Sequence, residues 1–235
     1  MSTLDPKTHA LDDLTKRILA TELAPGMALD ETHMAKTYAL SRTPLREVLQ
    51  RLAGQGYVVQ ERNRGAKVAP MDIKTMRVFF QTAPMVYAAI GQLAAETRTP
   101  EQLSSLKTAQ RNFCRATAQG DTQASALANH VFHQIIGEMA QNPYLTAALD
   151  RLLIDHTRLS QTFYRPKSDE DRGRIGKASQ QHDAMIAAIE AQEPAVMVDL
   201  TLKHWDLSRD RMEAFVRPDP LPIDIVSLKD RRDAV

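Results

Sequence analysis

The spacing of hydrophobic residues divides the chain into two parts. Between residues 10 and 70 the pattern changes every ten or so residues, which is typical of short elements joined by tight turns. From residue 72 to residue 215 long helical patterns follow one another, interrupted mainly by Pro, Gly and Asn. The pattern therefore predicts two domains, residues 1–70 and 71–216, followed by a Pro-containing tail at residues 217–235.

The most informative element of the first domain is the third of three predicted helices. Two shorter helices precede it, one from about residue 10 and one from about Asp30, whose carboxylate can cap it. The third begins at Ser41, and Pro44 is tolerated in its first turn because the early amides lack intrahelical partners. Thr43 and Arg46 project from its polar side. The apolar side is one stripe at i, i+3, i+4 and i+7, made by Leu45, Val48, Leu49 and Leu52.

A short hairpin follows this helix. Residues 57–60 and 66–69 are predicted strands, joined through the basic sequence Arg62-Asn63-Arg64-Gly65. Three helices followed by a hairpin with a basic tip describe a winged helix-turn-helix. A small α+β domain with solvated arginines is the alternative that the pattern alone leaves open.

The distribution of charge favours the first interpretation. The 235 residues carry 30 Lys and Arg against 29 Asp and Glu. Residues 41–67, however, hold six basic and only two acidic side chains, so a basic patch lies within a near-neutral chain. Four of these cations lie at the helix start and the hairpin tip, the two places that would reach a groove and its phosphates: Arg42, Arg46, Arg62 and Arg64.

The composition also restricts the compartment. The one cysteine, Cys114, excludes an intrachain disulfide and fits a reducing environment. We find no apolar run of signal-peptide length near the N-terminus, and no uninterrupted run near the roughly 18 apolar residues of a membrane span. We therefore expect a cytoplasmic protein without a membrane segment.

The first domain resembles the DNA-binding domain of the GntR regulators. The resemblance lies in the run Leu40–Leu52 (LSRTPLREVLQRL), in Pro25-Gly26 before it, and in Gly56 and Arg64-Gly65 after it. In that family the recognition helix enters the major groove of a palindromic operator and the wing tip reaches the minor groove. The resemblance implies that the DNA contacts of this chain come from Ser41, Arg42, Thr43, Arg46, Arg64 and Gly65. Guanidinium groups can bind guanine or phosphate in bidentate fashion, and the hydroxyls suit phosphate.

The second domain is predicted to be an all-helical bundle of six or seven helices, so the chain as a whole is mainly α. The helical stretches are residues 72–98, 101–119, 122–141, 144–165, 170–192 and 195–215. Pro84 is expected to kink or divide the first of them.

Four polar residues of this bundle could converge on a metal. Asn129 and His133 are four residues apart and share one helix face. His182 and His204 lie 12 residues before and 10 residues after Pro194, so an antiparallel hairpin would bring them to similar height. Three neutral imidazoles suit zinc, nickel, copper or iron. From spacing alone, the alternative is that these histidines are hydrogen-bonded or half-exposed side chains and not ligands. We expect this for the other four histidines, His9, His33, His130 and His156.

The bundle resembles the FCD effector domain of the FadR branch of GntR regulators. In many members an Asp and three His hold a divalent metal, often zinc or nickel, which helps to bind a carboxylate effector. His133, His182 and His204 match the three histidines, whereas Asn129 takes the position of the Asp. A neutral carbonyl oxygen there should weaken the binding of hard cations, but three histidines suffice for zinc or nickel.

A second difference from the FCD domains of the family concerns the residues near the effector pocket. Many members carry an Arg and a Glu near the pocket on the first long helix, where this chain has Ala83 and Tyr87. We therefore expect an effector that differs from the acids typical of the branch, with Tyr87 beside it. Arg158 is a candidate partner for the anion, and a surface arginine is the alternative.

These observations predict a metabolite-responsive transcriptional regulator, expected to act as a homodimeric repressor and not as an enzyme. Two alternatives remain. The pair His182-Asp183 also occurs in metal phosphohydrolases of the HD type, although no further acidic motif accompanies it here. The bundle could instead be an inert dimerisation domain with the histidines in its core.

Overall fold

The computed structural model describes residues 5–61 and 65–216. Within these two stretches the elements are α1 (Pro6–Leu19), β1 (Ala28–Leu29), α2 (Glu31–Thr37), α3 (Arg42–Gln55), β2 (Val58–Glu61), β3 (Gly65–Val68), α4 (Ile73–Thr97), α5 (Pro100–Ala118), α6 (Thr122–Met139), α7 (Pro143–Phe163), α8 (Asp169–Glu190) and α9 (Pro194–Val216). The predicted winged helix-turn-helix followed by a helical bundle is confirmed. The hairpin-tip residues Arg62 and Arg64 and the tail 217–235 lie outside the described residues.

The first domain packs three helices against a small antiparallel sheet of order β1-β3-β2. Val58 of β2 pairs with Val68 of β3, which gives the predicted hairpin. The two-residue strand β1 pairs with β3 and was not predicted, because two residues carry no alternation of their own. The apolar stripe of α3 forms the centre of this core, where Leu45 and Leu52 are fully buried.

The helix caps of this domain differ in their chemistry. Asp30 accepts hydrogen bonds from the amides of Thr32 and His33, as predicted. Ser41 occupies the N-cap position of α3, but its side chain makes no capping hydrogen bond and lies exposed. At the other end, Gly56 has a φ of +89°, a conformation that L side chains rarely adopt.

Side-chain caps explain why the bundle helices begin close to their predicted positions. Asp72, Thr99, Asp121, Asn142 and Ser168 each accept a hydrogen bond from a first-turn amide of α4 to α8. The described bundle has six helices. Pro84 lies inside α4, which continues unbroken, so the predicted division of this helix is not observed.

By length and composition, α4 is apolar enough to cross a membrane. It is also the core helix of the bundle, since Met76, Ala83 and Ile90 are buried against the neighbouring helices. One such helix is weak evidence for a membrane span, because the central helix of a water-exposed bundle passes the same test.

Candidate metal centre and DNA-binding surface

Three helices bring three histidines together in the interior of the bundle. His133 comes from α6, His182 from α8 and His204 from α9, and their potential ligand atoms all lie within 4.8 Å of one another. Asn129 lies one turn before His133, and all four side chains are buried. The antiparallel α8–α9 hairpin places His182 and His204 at the same height, as counting from Pro194 predicted.

Two potential ligand atoms of this group lack the hydrogen-bond partners that buried polar atoms normally have. Asn129 Oδ1 and His133 Nε2 are two of three buried side-chain atoms without a hydrogen-bond partner in the described chain. His182 Nε2 and His204 Nε2 face each other at 3.3 Å. Two nitrogen ligands of a tetrahedral zinc site, with bonds of about 2.0–2.1 Å, lie about 3.3–3.4 Å apart. The separation of these two nitrogens therefore fits a divalent metal.

Burial keeps these imidazoles in the neutral form that binds metals. Removal from water lowers the pKa of His133 and of His182 well below 6.5, and the neighbouring histidines lower both further. Burial alone lowers the pKa of His204 to about 4. Protons therefore compete little for the three nitrogens at neutral pH.

Aromatic side chains pack against the histidines on two sides. The Tyr87 hydroxyl lies 2.6 Å from Nδ1 of His156, and the Tyr87 ring lies edge-on to His133 at 5.4 Å. Trp205 contacts the rings of both Tyr87 and His156, at 6.0 and 5.9 Å. On the other side, Phe132 stacks on His182 with ring centroids 4.0 Å apart. The histidines are thereby shielded from water.

The interior next to the histidines is nearly filled. Two small cavities of about 10 Å³ each flank them, and each has room for about one water molecule. One is lined by Tyr87 and His133, and the other by Asn129, His204 and Tyr164. Tyr164 also lines an open cavity of about 660 Å³ between the end of α5 and the start of α8. An organic ligand therefore reaches the histidines only if the packed interior opens.

Arg158 does not lie with these residues. It is fully buried between the two domains, where it forms an ion pair with Asp155 and donates a hydrogen bond from Nη1 to the Ala69 carbonyl at 2.7 Å. Tyr87 lies beside the histidines, whereas the guanidinium of Arg158 already has partners within the protein. The alternative of a surface arginine is wrong, because the second half of α7 is buried on all sides.

Burial of the histidines predicts that the metal-free protein loses stability in acid. In the unfolded chain an imidazole takes up a proton near pH 6.5, whereas the pKa of His204 is lowered to about 4 and that of His156 to about 3. Between these values the unfolded state binds more protons, so each such histidine lowers the free energy of unfolding by up to about 1.4 kcal/mol per pH unit as the pH falls below about 6.5.

Urea unfolding in the presence of a chelator checks this prediction. These histidines contribute little slope above about pH 7.5, because they are then neutral in both states, and stability falls with increasing slope as the pH drops through about 6.5. Equal stability at about pH 7 and about pH 5 would contradict the prediction.

The predicted DNA-contacting residues of α3 form an exposed surface at the start of that helix. Ser41, Arg42, Thr43 and Arg46 are all exposed. The Nε atom of Arg46 lies 3.1 Å from Oε2 of Glu31, and Oε1 of Glu31 lies 3.9 Å from the point where a Cβ of Gly65 would be. The first turns of α3 and the start of β3 therefore lie side by side around Glu31. Arg64 lies outside the described residues.

Comparisons with known proteins find a match for each of the two domains of the chain. Residues 6–68 match the model of the gntR family of bacterial regulatory proteins, and residues 85–207 match the FCD domain. The chain belongs to the GntR family of transcriptional regulators. The predicted function of a DNA-binding regulator with an effector domain, and not of an enzyme, is thereby confirmed.

Individual relatives of the GntR regulator are distant. It is 25% identical over 211 residues to the galactonate operon transcriptional repressor of Escherichia coli K12. The aligned region covers 81% of this chain and 90% of the relative. The regulator is 24% identical over 144 residues to the HTH-type regulator YdhC of Bacillus subtilis 168, which covers 60% of this chain and 63% of YdhC. Its fold matches that of E. coli McbR/YncC with a TM-score of 0.76 at 18% identity, over 92% of this chain and 100% of the other.

The geometry around Asp183 agrees with the exclusion of a phosphohydrolase. In this GntR regulator, Asp183 Oδ1 accepts a hydrogen bond from Gln110 at 3.0 Å and does not belong to the group of potential metal ligands found among the described residues. Asp183 thus does not join His182 as a potential metal ligand among the described residues.

Sequence reasoning missed the residues that hold the histidines. Gln110 Oε1 lies 3.0 Å from Nδ1 of His182, and Gln181 Oε1 lies 3.0 Å from Nδ1 of His204. The signal for Gln110 was available: it interrupts the apolar stripe of α5 between Leu106 and Phe113. For Gln181 the sequence offers no comparable signal.

Proposed function

We propose that this GntR regulator represses transcription and responds to a small carboxylate effector that binds near a divalent metal, zinc or nickel, in the FCD domain. The observation that supports it best is the convergence of His133, His182 and His204 with Asn129, two of whose donor atoms are buried without partners. Because the regulator acts on bacterial DNA, we expect it in the cytoplasm.

The DNA-contacting surface in this proposal consists of the N-terminal half of α3 and the wing. Ser41 and Thr43 would contact phosphates, and Arg42 and Arg46 would contact guanine or phosphate. Arg64 and Gly65 would reach the minor groove from the wing. The exposed side chain of Ser41, which makes no capping hydrogen bond, and the 64% exposure of the Arg46 side chain support these assignments.

Replacement of Arg46 is expected to weaken operator binding. Arg46→Ala should reduce the affinity about 10- to 100-fold, because one bidentate contact is worth about 1–3 kcal/mol. Fluorescence anisotropy with a labelled operator measures this effect. Arg51→Ala is the matched control, because it removes the same charge from the exposed side of α3 one and a half turns further along. Equal operator affinities of the two variants would show that Arg46 does not contact the operator.

Asn129, His133, His182 and His204 would hold the metal in this proposal. A metal bound there supplies a Lewis-acidic positive charge that attracts an anion to its open positions. All four protein donors are neutral, so none of them compensates the charge of a divalent ion. Replacement of the usual Asp by Asn129 therefore lowers the affinity for the metal and strengthens its attraction for an anionic effector.

The effector is expected to be a carboxylate that carries further hydroxyl groups. The small cavity beside Asn129 is also lined by Ser160 and Ser208, whose hydroxyls can accept hydrogen bonds, and by His156. The galactonate operon repressor takes its name from the operon of a sugar acid, a carboxylate of this kind. Such a molecule would enter from the open cavity past Tyr164, and Tyr87 would line the opposite side.

Helix α7 is suited to connect the effector site with the DNA-binding domain. His156 on one side of α7 contacts Tyr87. On the other side Arg158 donates to Ala69, and Gln161 Nε2 donates to the Leu19 carbonyl at 3.2 Å. We infer that opening of the interior by an effector shifts α7 and thereby changes the position of the DNA-binding domain.

A palindromic operator requires a homodimer. Val78 and Met85 of α4 lie two turns apart on one face and are 54% and 72% exposed, which supports a contact between copies there. A dimer would place two α3 helices about 34–36 Å apart, in successive major grooves. Sedimentation velocity measures the oligomeric state directly.

Selection of binding sites from random duplex DNA tests the proposed function. We expect the selected sequences to form an inverted repeat. In the metal-loaded regulator, a carboxylate that acts as effector should raise the melting temperature and change operator affinity, and chelation should abolish both effects. A regulator that binds operator but takes up no zinc or nickel would contradict the metal-dependent part of the proposal and leave the DNA-binding part standing.

A further inference from the structure

Gln110 is a buried amide that connects α5 to the histidine cluster. Its Nε2 atom lies within hydrogen-bond distance of three acceptors on α8: the Ser179 carbonyl at 3.0 Å, Ser179 Oγ at 3.2 Å and Asp183 Oδ1 at 3.0 Å. A carbonyl and a carboxylate only accept hydrogen bonds, so the atom facing them must be the amide nitrogen. The orientation of the Gln110 amide is thereby determined.

This orientation determines the tautomer of His182. Gln110 Oε1, which only accepts, lies 3.0 Å from His182 Nδ1. His182 must therefore carry its proton on Nδ1, and its Nε2 presents a lone pair. Nε2 is the atom that lies 3.3 Å from Nε2 of His204 in the cluster.

Asp183 strengthens this arrangement from one step further away. Its carboxylate accepts a hydrogen bond from the Gln110 amide nitrogen, and the oxygen of the same amide accepts the hydrogen bond from His182 Nδ1. A chain of hydrogen bonds of this kind polarises each member, so the Gln110 oxygen becomes a better acceptor and the His182 Nε2 a better donor to a metal. The carboxylate therefore acts on the site through Gln110 and not as a ligand.

We propose that Gln110 is a positioning residue that holds His182 in the Nδ1–H tautomer and orients its Nε2 lone pair toward the metal. The proposal rests on the proposed metal site. It assigns to Gln110 no contact with the metal or the effector. Its consequence for the metal-free protein, a defined tautomer of one histidine, is independent of any metal.

The test compares Gln110→Met with Asp183→Asn. Methionine has nearly the length of glutamine but no strong acceptor, so nickel affinity measured by calorimetry should fall about 10- to 100-fold. Asparagine at position 183 keeps an oxygen that accepts from Gln110 but lacks the negative charge, so its nickel affinity should fall only a few-fold, much less than in Gln110→Met. Thermal unfolding of both metal-free variants verifies that they are folded.

Nitrogen NMR of the metal-free protein, labelled with ¹⁵N-histidine, reads the tautomer directly. Wild type and Asp183→Asn should show His182 protonated on Nδ1, and Gln110→Met should lose this preference. An unchanged tautomer and unchanged nickel affinity in folded Gln110→Met would overturn the proposal. Failure of wild type to bind nickel would overturn the metal site instead, and the tautomer measurement would still decide the role of Gln110.

Discussion

Replacing His182 and His204 together with alanine is expected to abolish metal binding. The two imidazoles supply the pair of nitrogens 3.3 Å apart, and the variant would keep only His133 and a neutral amide oxygen. Loss of two of three nitrogen ligands should lower the affinity by about a thousandfold or more. Elemental mass spectrometry of purified protein, after incubation with zinc or nickel and desalting, should find about one ion per wild-type chain and none in the variant.

The matched control replaces two histidines outside the bundle. His9 and His33 are exposed in the first domain, so His9→Ala with His33→Ala should retain the full metal content. Retention of metal by the His182 and His204 variant would place the site elsewhere. Absence of metal from wild type would mean that Asn129 disables the site, and Asn129→Asp should then restore it.

Arg158→Met is expected to destabilise the protein by about 3 kcal/mol. The substitution removes the partner of the buried Asp155 carboxylate and the hydrogen bond to the Ala69 carbonyl that joins the two domains. Arg151 lies 3.2 Å from the other oxygen of Asp155 and offsets part of the loss. Urea unfolding followed by circular dichroism measures the change.

A double variant separates the ion pair from the packing of the arginine. Asp155→Leu combined with Arg158→Met removes both charges and should be more stable than Arg158→Met alone, since no carboxylate is then left buried without its main partner. A loss of less than about 1 kcal/mol in the single variant, together with weaker effector binding, would instead support Arg158 as the partner of the anion.

The elements that could be predicted from the sequence are those determined by local chemistry. Helix starts in the bundle follow from capping residues such as Asp121 and Asn142, which act on amides two or three positions away. The meeting of His182 and His204 followed from their near-equal distance from one turn. The resemblance to GntR regulators supplied the link from these two to His133, which spacing alone allowed but did not require.

Contacts between distant segments could not be predicted in this way. Gln110 and His182 are 72 residues apart, and Arg158 and Ala69 are 89 residues apart. The second half of α7 is buried on all sides, so its polar and apolar residues show no amphipathic period from which a partner could be inferred. A buried arginine there has the same appearance in the sequence as an exposed one.

The position of Trp205 makes its intrinsic fluorescence a probe of the histidine cluster. It is the single tryptophan of the chain and lies directly after His204, with its ring against Tyr87 and His156. Its emission therefore originates from the wall of the histidine cluster. Paramagnetic nickel bound there should quench this emission, whereas diamagnetic zinc should leave most of it, so a label-free titration can distinguish the two ions in the same cuvette.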